Sequence, residues 1–294
     1  MFFLTFIMGL VFAEPYIAVL QSDSFTEYQI PTTAFIKNCT VKTKAYDIHG
    51  SREIGLQRIA ELQRQKPAMV FAVGAKAAWL AHTELPNVPL VYTMVQNPER
   101  FGLKDDQNIE VAMYPPQDLS IAQMQLFFPT VEHIAFFSSD NPSDAVSSYI
   151  KLMESYGFKI SLIKADTTNE LRKKLADLSE DIDIIWLAKD HLWLTPERFY
   201  HINNTAIKKN IPVVSNSSHL SRAGALLSIS SKYDSIGMVA AKMLSAKVLE
   251  GTPIEKRKIY TQELYITLNR KTQKALGIEL EPYMIDFINE EILE

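Results

Sequence analysis

Cysteine is nearly absent from this chain, which has 294 residues and a single cysteine, Cys39. One thiol excludes an intramolecular disulfide framework and every metal motif that needs several cysteines. An excess of either charge is also missing, because 30 Lys and Arg are set against 34 Asp and Glu, a net charge of −4 at pH 7. The sequence has no basic stripe interleaved with aromatic residues, so it lacks the features of a nucleic-acid binder. We expect a monomer that folds by burial of apolar side chains and needs no metal or cofactor.

Catalytic and nucleotide-binding motifs are missing as well. The chain contains no G-x-S-x-G, H-E-x-x-H, G-x-x-x-x-G-K-[ST] or G-x-G-x-x-G. His219 lies near Ser217 in the sequence, but no acidic residue can be identified that would orient it. The six histidines are scattered without i, i+4 spacing: His49, His82, His133, His191, His201 and His219. The sequence therefore favours binding over catalysis.

A long apolar stretch, MFFLTFIMGLVFA, covers residues 1–13. It is shorter than the roughly 20 residues of a membrane-spanning helix. Its end, Val11-Phe12-Ala13, fits a secretory cleavage site, although no Lys or Arg precedes the stretch. Residues 1–13 therefore predict a signal peptide, with a buried strand as the alternative. No cysteine lies at the cleavage point to carry a lipid, so we expect a soluble periplasmic protein rather than a lipoprotein.

Short apolar runs alternate with longer stretches of helical period along the rest of the chain. This alternation is typical of βα units around a mainly parallel sheet. Strands are predicted at 16–20, 41–46, 69–73, 90–95, 133–137, 159–163, 182–187, 212–215 and 225–229, with helices at 51–65, 75–82, 143–156, 169–178, 196–209 and 235–249. Pro31 predicts a shortened or kinked helix within 25–40, and Asp118 is a predicted helix cap.

Two comparable βα series predict an α/β fold with two lobes. The first lobe covers 14–114 and the second covers 115–231, while 232–294 contains a return to the first lobe and a C-terminal segment. Each lobe is expected to be a mainly parallel sheet flanked by helices. No Gly/Ser-rich linker separates the lobes, so the cleft between them is the natural place for a ligand.

Polar residues follow the predicted strands, where open parallel sheets bind their ligands. They are suited to a small polar or zwitterionic solute. Several also have a structural interpretation. Asp23 and Asp140 could cap helices, Lys76 could be solvated, and residues 215–218, the serine run, could be an ordinary turn. Trp186 is predicted to be core, whereas Tyr28, His191 and Trp193 are candidates for lining the cleft. The candidate ligand contacts are Ser22, Asp23, Ser24, Gly74, Ala75, Lys76, Asn97, Pro98, Asp140, Asn141, Asp190, Ser215, Asn216, Ser217 and Ser218.

Several segments together resemble a known family. They are VFAVGAKAAWLA, NVPLVYTMVQNPERFGL, DIIWLAKDHLWLTPERF, IPVVSNSSHLSRAGALLSISSKYDSIGMVAAKML and LYITLNRKTQKALGIELEP. In this order they are similar to the ABC transporter substrate-binding proteins of the type I periplasmic-binding fold, which include tryptophan and tyrosine binders. The resemblance implies a ligand held by 22–24, 74–76, 97–98, Asp190 and 215–218. The polar residues 215–219 replace a stretch that is often more apolar in such proteins.

Two functions fit these features. The first is capture of a small polar, amino-acid-like solute, with aromatic amino acids among the candidates, for delivery to an ABC permease. The second is a ligand-binding sensory protein that signals to a membrane receptor or histidine kinase. A neighbouring gene for a permease or for a kinase would discriminate them. A flavodoxin-like or sugar-enzyme α/β protein that is never exported is a third interpretation.

The signal-peptide prediction has a direct test. Mass spectrometry of a periplasmic extract should find a mature N-terminus at Glu14, because cleavage is expected after Ala13. A chain that keeps Met1 and stays in the cytoplasmic fraction would contradict export and favour the third interpretation.

Overall fold

Strands and helices alternate along most of the chain. The computed structural model describes residues 14–103, 107–142, 144–188 and 193–293, so the predicted signal peptide lies outside the described residues. Up to residue 111 the elements are β1 (Tyr16–Gln21), α1 (Thr26–Asn38), β2 (Lys42–Asp47), α2 (Arg52–Gln65), β3 (Met69–Val73), α3 (Ala75–Glu84), β4 (Leu90–Thr93), a 3₁₀ helix (Pro98–Phe101) and β5 (Ile109–Val111).

The same alternation continues through the second half of the chain. The next elements are α4 (Gln117–Phe127), β6 (His133–Ser138), α5 (Asp144–Ser155), β7 (Lys159–Lys164), α6 (Thr168–Ala176), β8 (Ile184–Leu187), α7 (Pro196–Lys208), β9 (Val213–Ser215), α8 (Ser218–Arg222) and β10 (Leu227–Ser231). The last are α9 (Tyr233–Glu250), β11 (Lys258–Ile259), β12 (Leu264–Asn269), α10 (Arg270–Ala275), α11 (Pro282–Ile285) and β13 (Glu290–Ile292).

The chain divides into two compact units. The first comprises the residues up to Met113 together with Tyr233–Ile259, and the second comprises Tyr114–Lys232 together with Tyr260–Glu294. Within the stretch 232–294, the return to the first unit thus covers 233–259. The C-terminal segment completes the second unit, because β12 pairs with β10 and β13 pairs with β12.

The first unit is built on a six-stranded sheet with the order β11-β5-β4-β3-β1-β2, and all of its strand pairs are parallel. Every residue of β1 and β3 is buried, as expected for parallel strands covered on both faces. On one face, Leu62 of α2 and Leu80 of α3 share a core with Ala72. Phe71 alternates to the opposite face, where Phe35 of α1 stacks on it with ring centroids 4.3 Å apart.

The second unit is built on a seven-stranded sheet with the order β13-β12-β10-β9-β8-β6-β7. β12 runs antiparallel to β10, and the other pairs are parallel. One core contains Ile121 of α4, Met153 of α5 and the fully buried Trp186, as predicted for that tryptophan. The other contains Leu171 of α6 and Ile202 of α7.

Two local predictions need correction. The helix around Pro31 is not shortened, because α1 extends over 13 residues with the buried Pro31 inside it. Burial of this helix against the sheet outweighs the hydrogen bond that proline cannot donate. Asp118 does not cap α4 either: the helix begins after Pro116, and Asp118 lies in its first turn, where a carboxylate is favoured by the helix dipole.

The contact between α1 and α9 depends on Gly237. A Cβ atom at this position would lie 2.2 Å from the carbonyl oxygen of Pro31 and 2.8 Å from the backbone nitrogen of Phe35. Both are backbone atoms, so no change of side-chain rotamer could make room for it. The absence of a side chain at residue 237 therefore sets how closely the two helices approach.

This contact yields a stability prediction. Gly237→Ala should lower the free energy of unfolding by about 1–3 kcal/mol, the usual effect of overpacking, measured by urea denaturation. Gly55→Ala is the matched control, since Gly55 is also helical and its added Cβ would meet only the flexible ends of side chains, the nearest being Leu80 Cδ1 at 2.3 Å. Both variants share the gain in helix propensity. Equal unfolding free energies for the two would contradict the proposed role of Gly237.

Candidate functional site

Backbone hydrogen bonds continue beyond the strand ends of the first unit. Ser22 N donates to Val73 O at 2.9 Å, Gly74 N donates to Thr93 O at 2.9 Å, and Gly50 N donates to Ser22 O at 2.8 Å. The residues that follow β1, β2 and β3 are therefore fixed against one another at the carboxyl edge of the sheet. Two of the predicted groups, 22–24 and 74–76, meet at this edge.

Gly74 is the turn residue between β3 and α3. Its φ is 91°, in the region that favours glycine, and a Cβ there would lie 2.6 Å from Ser22 Oγ. The Ser22 hydroxyl accepts a hydrogen bond from Ala77 N at 2.9 Å and so caps the helix in place of the missing side chain. The first-turn N–H groups of Ala75 and Lys76 are left without a helical acceptor.

Charged groups surround this turn. Lys76 Nζ donates a hydrogen bond to the carbonyl oxygen of Gly50, so the lysine is tied to the loop after β2. Asp23 Oδ1 accepts from Ser24 N at 2.8 Å, and the Ser24 hydroxyl donates to Asp47 Oδ2 at 2.7 Å. The edge thus combines one ammonium group with two carboxylates.

Sequence reasoning did not identify Asp47, and it placed Gln21 among the polar residues at the end of the first strand without making it a candidate contact. Gln21 Nε2 donates to Asp47 Oδ2 at 3.1 Å and to Asp23 O at 2.8 Å. Asp47 Oδ1 also accepts from His49 N at 2.7 Å. The two residues end adjacent parallel strands, and this pairing of strand ends is the signal that could have found them.

An aromatic pair borders the turn. Tyr28 is half-buried, and its ring carbon Cε2 lies 3.0 Å from where a Gly74 Cβ would be. The ring centroids of Phe25 and Tyr28 are 5.8 Å apart. Burial, with the nearby carboxylates of Asp23 and Glu27, raises the pKa of the Tyr28 hydroxyl, so it stays neutral at ordinary pH.

The loop after β4 lies at the same edge of the sheet, since β4 neighbours β3. Asn97 has a φ of 51° and precedes the 3₁₀ helix, of which Pro98 is the first residue. Both are half-buried.

In the second unit, the serine run forms a tight turn into a short helix. Ser215 ends β9, and its hydroxyl donates to Ser217 O at 3.1 Å while accepting from Ser217 N at 3.3 Å. Ser217 precedes α8 without a side-chain capping bond, and Ser218 is the first helical residue. All four residues, 215–218, are buried. The turn interpretation accounts for the Ser215 hydroxyl, whereas no hydrogen bond of that turn uses the hydroxyls of Ser217 and Ser218.

Asn216 follows the last residue of β9 and is buried. Tyr149 of α5 is buried as well, and its hydroxyl makes no hydrogen bond to the described residues. Burial raises the pKa of Tyr149 to about 12, while Ser120 and Asn216 act in the opposite direction.

The remaining candidates in this unit are placed differently. Asp140 and Asn141 are exposed after β6, and Asp140 N donates to Asp166 Oδ1 at 2.9 Å. Asp190 and His191 lie outside the described residues. Trp193 is only 4% exposed and its Nε1 donates to Ala165 O at 2.6 Å, so this side chain is core rather than a surface that lines a cleft.

Comparison with known proteins fits this arrangement of strand-end loops. A family model described as ABC transporter substrate binding protein matches residues 34–287. The chain belongs to this family. Its members bind substrates and are not enzymes.

A curated relative of this substrate-binding protein is the tyrosine-binding protein of Clostridioides difficile strain R20291. The two are 22% identical over 224 residues, which is 73% of this chain and 64% of the relative. The chain therefore spans less than two thirds of the length of that relative.

Solved structures share the fold. A ligand-free, open substrate-binding protein with adhesive properties from Clostridium difficile has a TM-score of 0.76 at 18% identity, covering 94% of this chain and 98% of its own. An ABC domain from Streptococcus pneumonia in complex with L-Trp has a TM-score of 0.61 at 19% identity, covering 95% of this chain and 100% of its own. Both support the type I periplasmic-binding fold.

The substrate-binding protein also contains a Ser–His–Asp contact that sequence reasoning did not find. His133 Nε2 is 2.8 Å from Ser161 Oγ, and its Nδ1 is 3.2 Å from Asp181 Oδ2. Asp181 is exposed and its carboxylate pairs with Lys159 Nζ at 2.6 Å, so hydrogen bonds from Lys159 and Ser179 lower its pKa. His133 begins β6, Ser161 lies in the first half of β7 and Asp181 precedes β8. The contact is therefore at the end of the sheet opposite the strand-end loops, and we interpret it as structural.

A separate groove of about 490 Å³ lies on the second unit, lined by the start of α4 and by α5: Gln117, Asp144, Ser147, Ser148, Lys151, Leu152 and Ser155. It contains none of the predicted ligand contacts. Among the described residues no cluster of three His, Cys, Asp or Glu could hold a metal, and none of the described helices is long and apolar enough to cross a membrane.

Proposed function

We propose that this protein captures a small amino-acid-like solute, with aromatic amino acids as the first candidates, and delivers it to an ABC permease. The observation that carries the proposal is the carboxyl edge of the first unit, where Gly74, Lys76 and Asp23 come together. Family membership supports a transported solute, and the relative named for tyrosine binding and the neighbour solved with L-Trp support the aromatic class.

The chemistry of this edge suits a zwitterion. The N–H groups of Ala75 and Lys76 at the start of α3, with the Lys76 ammonium close by, would donate hydrogen bonds to a carboxylate. The carboxylates of Asp23 and Asp47 would attract an ammonium group through charge-assisted hydrogen bonds. The rings of Phe25 and Tyr28 offer an apolar surface next to both. A neutral sugar has no carboxylate to bind the N–H groups and no ammonium group to pair with the carboxylates.

In the same proposal the second unit would contribute hydroxyl and amide groups together with two carboxylates. Asn216, Ser217 and Ser218 would hydrogen-bond polar atoms of the solute, with Asp140, Asn141 and Asp190 as further contacts. Residues 97–98 would contribute from the first unit. Such fixed hydroxyl and amide groups give specificity, because a buried polar group of the wrong solute would be left without a partner.

We further propose that the protein acts after export to the periplasm, as a soluble monomer whose macromolecular partner is the permease. A substrate-binding protein meets its permease on the outer side of the cytoplasmic membrane, so this location follows from the transport role. The cleavage test given above examines it independently of the solute.

Thermal unfolding tests the binding role. A solute present at 100 times its dissociation constant should stabilise the protein by roughly 2.7 kcal/mol through mass action, seen as a rise in Tm. A screen should include the twenty amino acids, nucleosides and sugars, with L-Tyr and L-Trp first. If no compound in the screen raises Tm, solute capture is contradicted; a response to sugars alone would overturn the amino-acid class.

The serine run has its own test. Ser217→Ala combined with Ser218→Ala removes two hydroxyls, each worth roughly 0.5 to 1.5 kcal/mol, so affinity for the solute should fall by roughly 5- to 150-fold. Isothermal titration calorimetry measures the affinity, and the Tm of the solute-free protein should change little. The matched control is Ser147→Ala with Ser155→Ala, two serines that line the α5 groove. Unchanged affinity in the Ser217/Ser218 variant would show that the serine run is only a turn. A loss of affinity in the Ser147/Ser155 variant would show that the solute binds in the α5 groove instead.

A further inference from the structure

Gln21 is the last residue of β1, and its amide is buried at the carboxyl edge of the first unit. It is 6% exposed. In the parallel sheet it pairs in register with Asp47 on one side and with Val73 on the other. A glutamine is rarely buried to this extent unless its polar atoms have partners. The partners of this amide therefore indicate why the chain places it there.

Both hydrogens of the Gln21 NH₂ group are used. One is donated to the carbonyl oxygen of Asp23 at 2.8 Å and the other to Asp47 Oδ2 at 3.1 Å. A rotation of the amide by half a turn would place its carbonyl oxygen against these two acceptors, which is unfavourable because that oxygen has no hydrogen to donate. Gln21 therefore has one favoured orientation, and this orientation links the loop after β1 to the end of β2.

The Asp47 carboxylate is held by neutral donors. Its Oδ2 accepts from Gln21 and from the Ser24 hydroxyl at 2.7 Å, and its Oδ1 accepts from His49 N at 2.7 Å. His49 Nδ1 lies 3.6 Å from Asp47 Oδ1, but this side chain is 63% exposed. Among the described residues no lysine or arginine forms an ion pair with Asp47. A carboxylate fixed in this way can bind a cationic group of a solute without the cost of first ordering its own side chain.

We infer that Gln21 is a positioning residue that orients the Asp47 carboxylate toward the ammonium group of the solute, and that Asp47 rather than Asp23 anchors this group. This inference rests on the proposed function, because it requires an amino-acid-like solute at this edge. The Asp23 carboxylate is less constrained, since Gln21 binds only the backbone carbonyl of that residue. Gln21 itself is buried and need not touch the solute.

The first test needs no solute. Amide exchange in ¹⁵N-labelled protein, followed by NMR, reports on the bond from His49 N to Asp47 Oδ1. Gln21→Met keeps a long side chain but removes the donor, so the His49 amide should exchange several times faster than in the wild type. Gln63→Met is the control, because Gln63 Nε2 also donates to a backbone oxygen, Glu84 O at 3.0 Å, away from the site. Unchanged exchange of the His49 amide in Gln21→Met would overturn the positioning role.

The second test removes the ammonium group from the probe. L-Tyr and its deaminated analogue, hydroxyphenylpropionate, differ only in that group, and calorimetry measures the affinity for each. The wild type should prefer L-Tyr by roughly 10- to 150-fold, the range for a hydrogen bond to a charged group. Asp47→Asn should abolish most of this preference, and Gln21→Met should reduce it about three- to tenfold. L-Trp and indolepropionate provide a second pair of probes.

The preference between the two probes, not the affinity alone, distinguishes positioning from a structural effect. A general loosening in Gln21→Met would weaken both probes equally and leave the preference unchanged, and that result would contradict the inference. In the Asp47→Asn background Gln21→Met should alter the preference no further, while Gln63→Met should behave as the wild type does. Asp23→Asn should retain most of the preference. If Asp23→Asn abolishes it and Asp47→Asn does not, Asp23 is the anchor and the inference is wrong.

The two tests separate this inference from the proposed function. If the wild type binds neither these probes nor any compound of the wider screen, solute capture fails, and with it the anchoring of an ammonium group. The exchange comparison still decides whether Gln21 holds Asp47. If the wild type binds L-Tyr and its deaminated analogue equally well, solute capture stands and the inference falls.

Discussion

Ser22 joins three segments of the first unit, and the candidate site depends on it. Its N–H donates to Val73 O, its carbonyl accepts from Gly50 N, and its hydroxyl accepts from Ala77 N. One residue at the end of β1 therefore fixes the loops that follow β2 and β3. Since Gly74 leaves no space for a Cβ beside Ser22, the turn and the serine are mutually dependent: a side chain at residue 74 would displace the cap of α3.

Much of the fold could be predicted from sequence because parallel strands are buried on both faces. β3 was predicted with its observed bounds, since Met69–Val73 is a continuous apolar run. The strands β5, β11, β12 and β13 were not predicted: β5 and β11 have only three and two residues, and the pairing of β12 and β13 is decided by partners distant in the sequence. The shortened helix predicted from Pro31 was wrong because the burial of α1 could not be read from local sequence.

The candidate site was predictable only in part, for a related reason. Strand ends marked Ser22, Gly74 and Ser215, because polar residues after apolar runs are a local signal. Asp47 carries no such signal, because it ends a strand that is not a continuous apolar run. It reaches Ser24 from the end of a neighbouring strand. Contacts of this kind depend on register and packing, which only the folded chain defines.

The first unit consists of two segments that are far apart in the chain, up to Met113 and from Tyr233 to Ile259. During synthesis, α1 and five of the six strands of the sheet are made long before α9, and only β11 follows that helix. Until residue 237 is made, the face of α1 that α9 will cover, with the backbone of Pro31 and Phe35 at its centre, stays open to solvent. Long-range contacts of this sort slow folding and leave apolar surface exposed in the meantime. A nascent chain of this protein therefore needs protection from aggregation on one defined face, and that need ends when the later helix arrives.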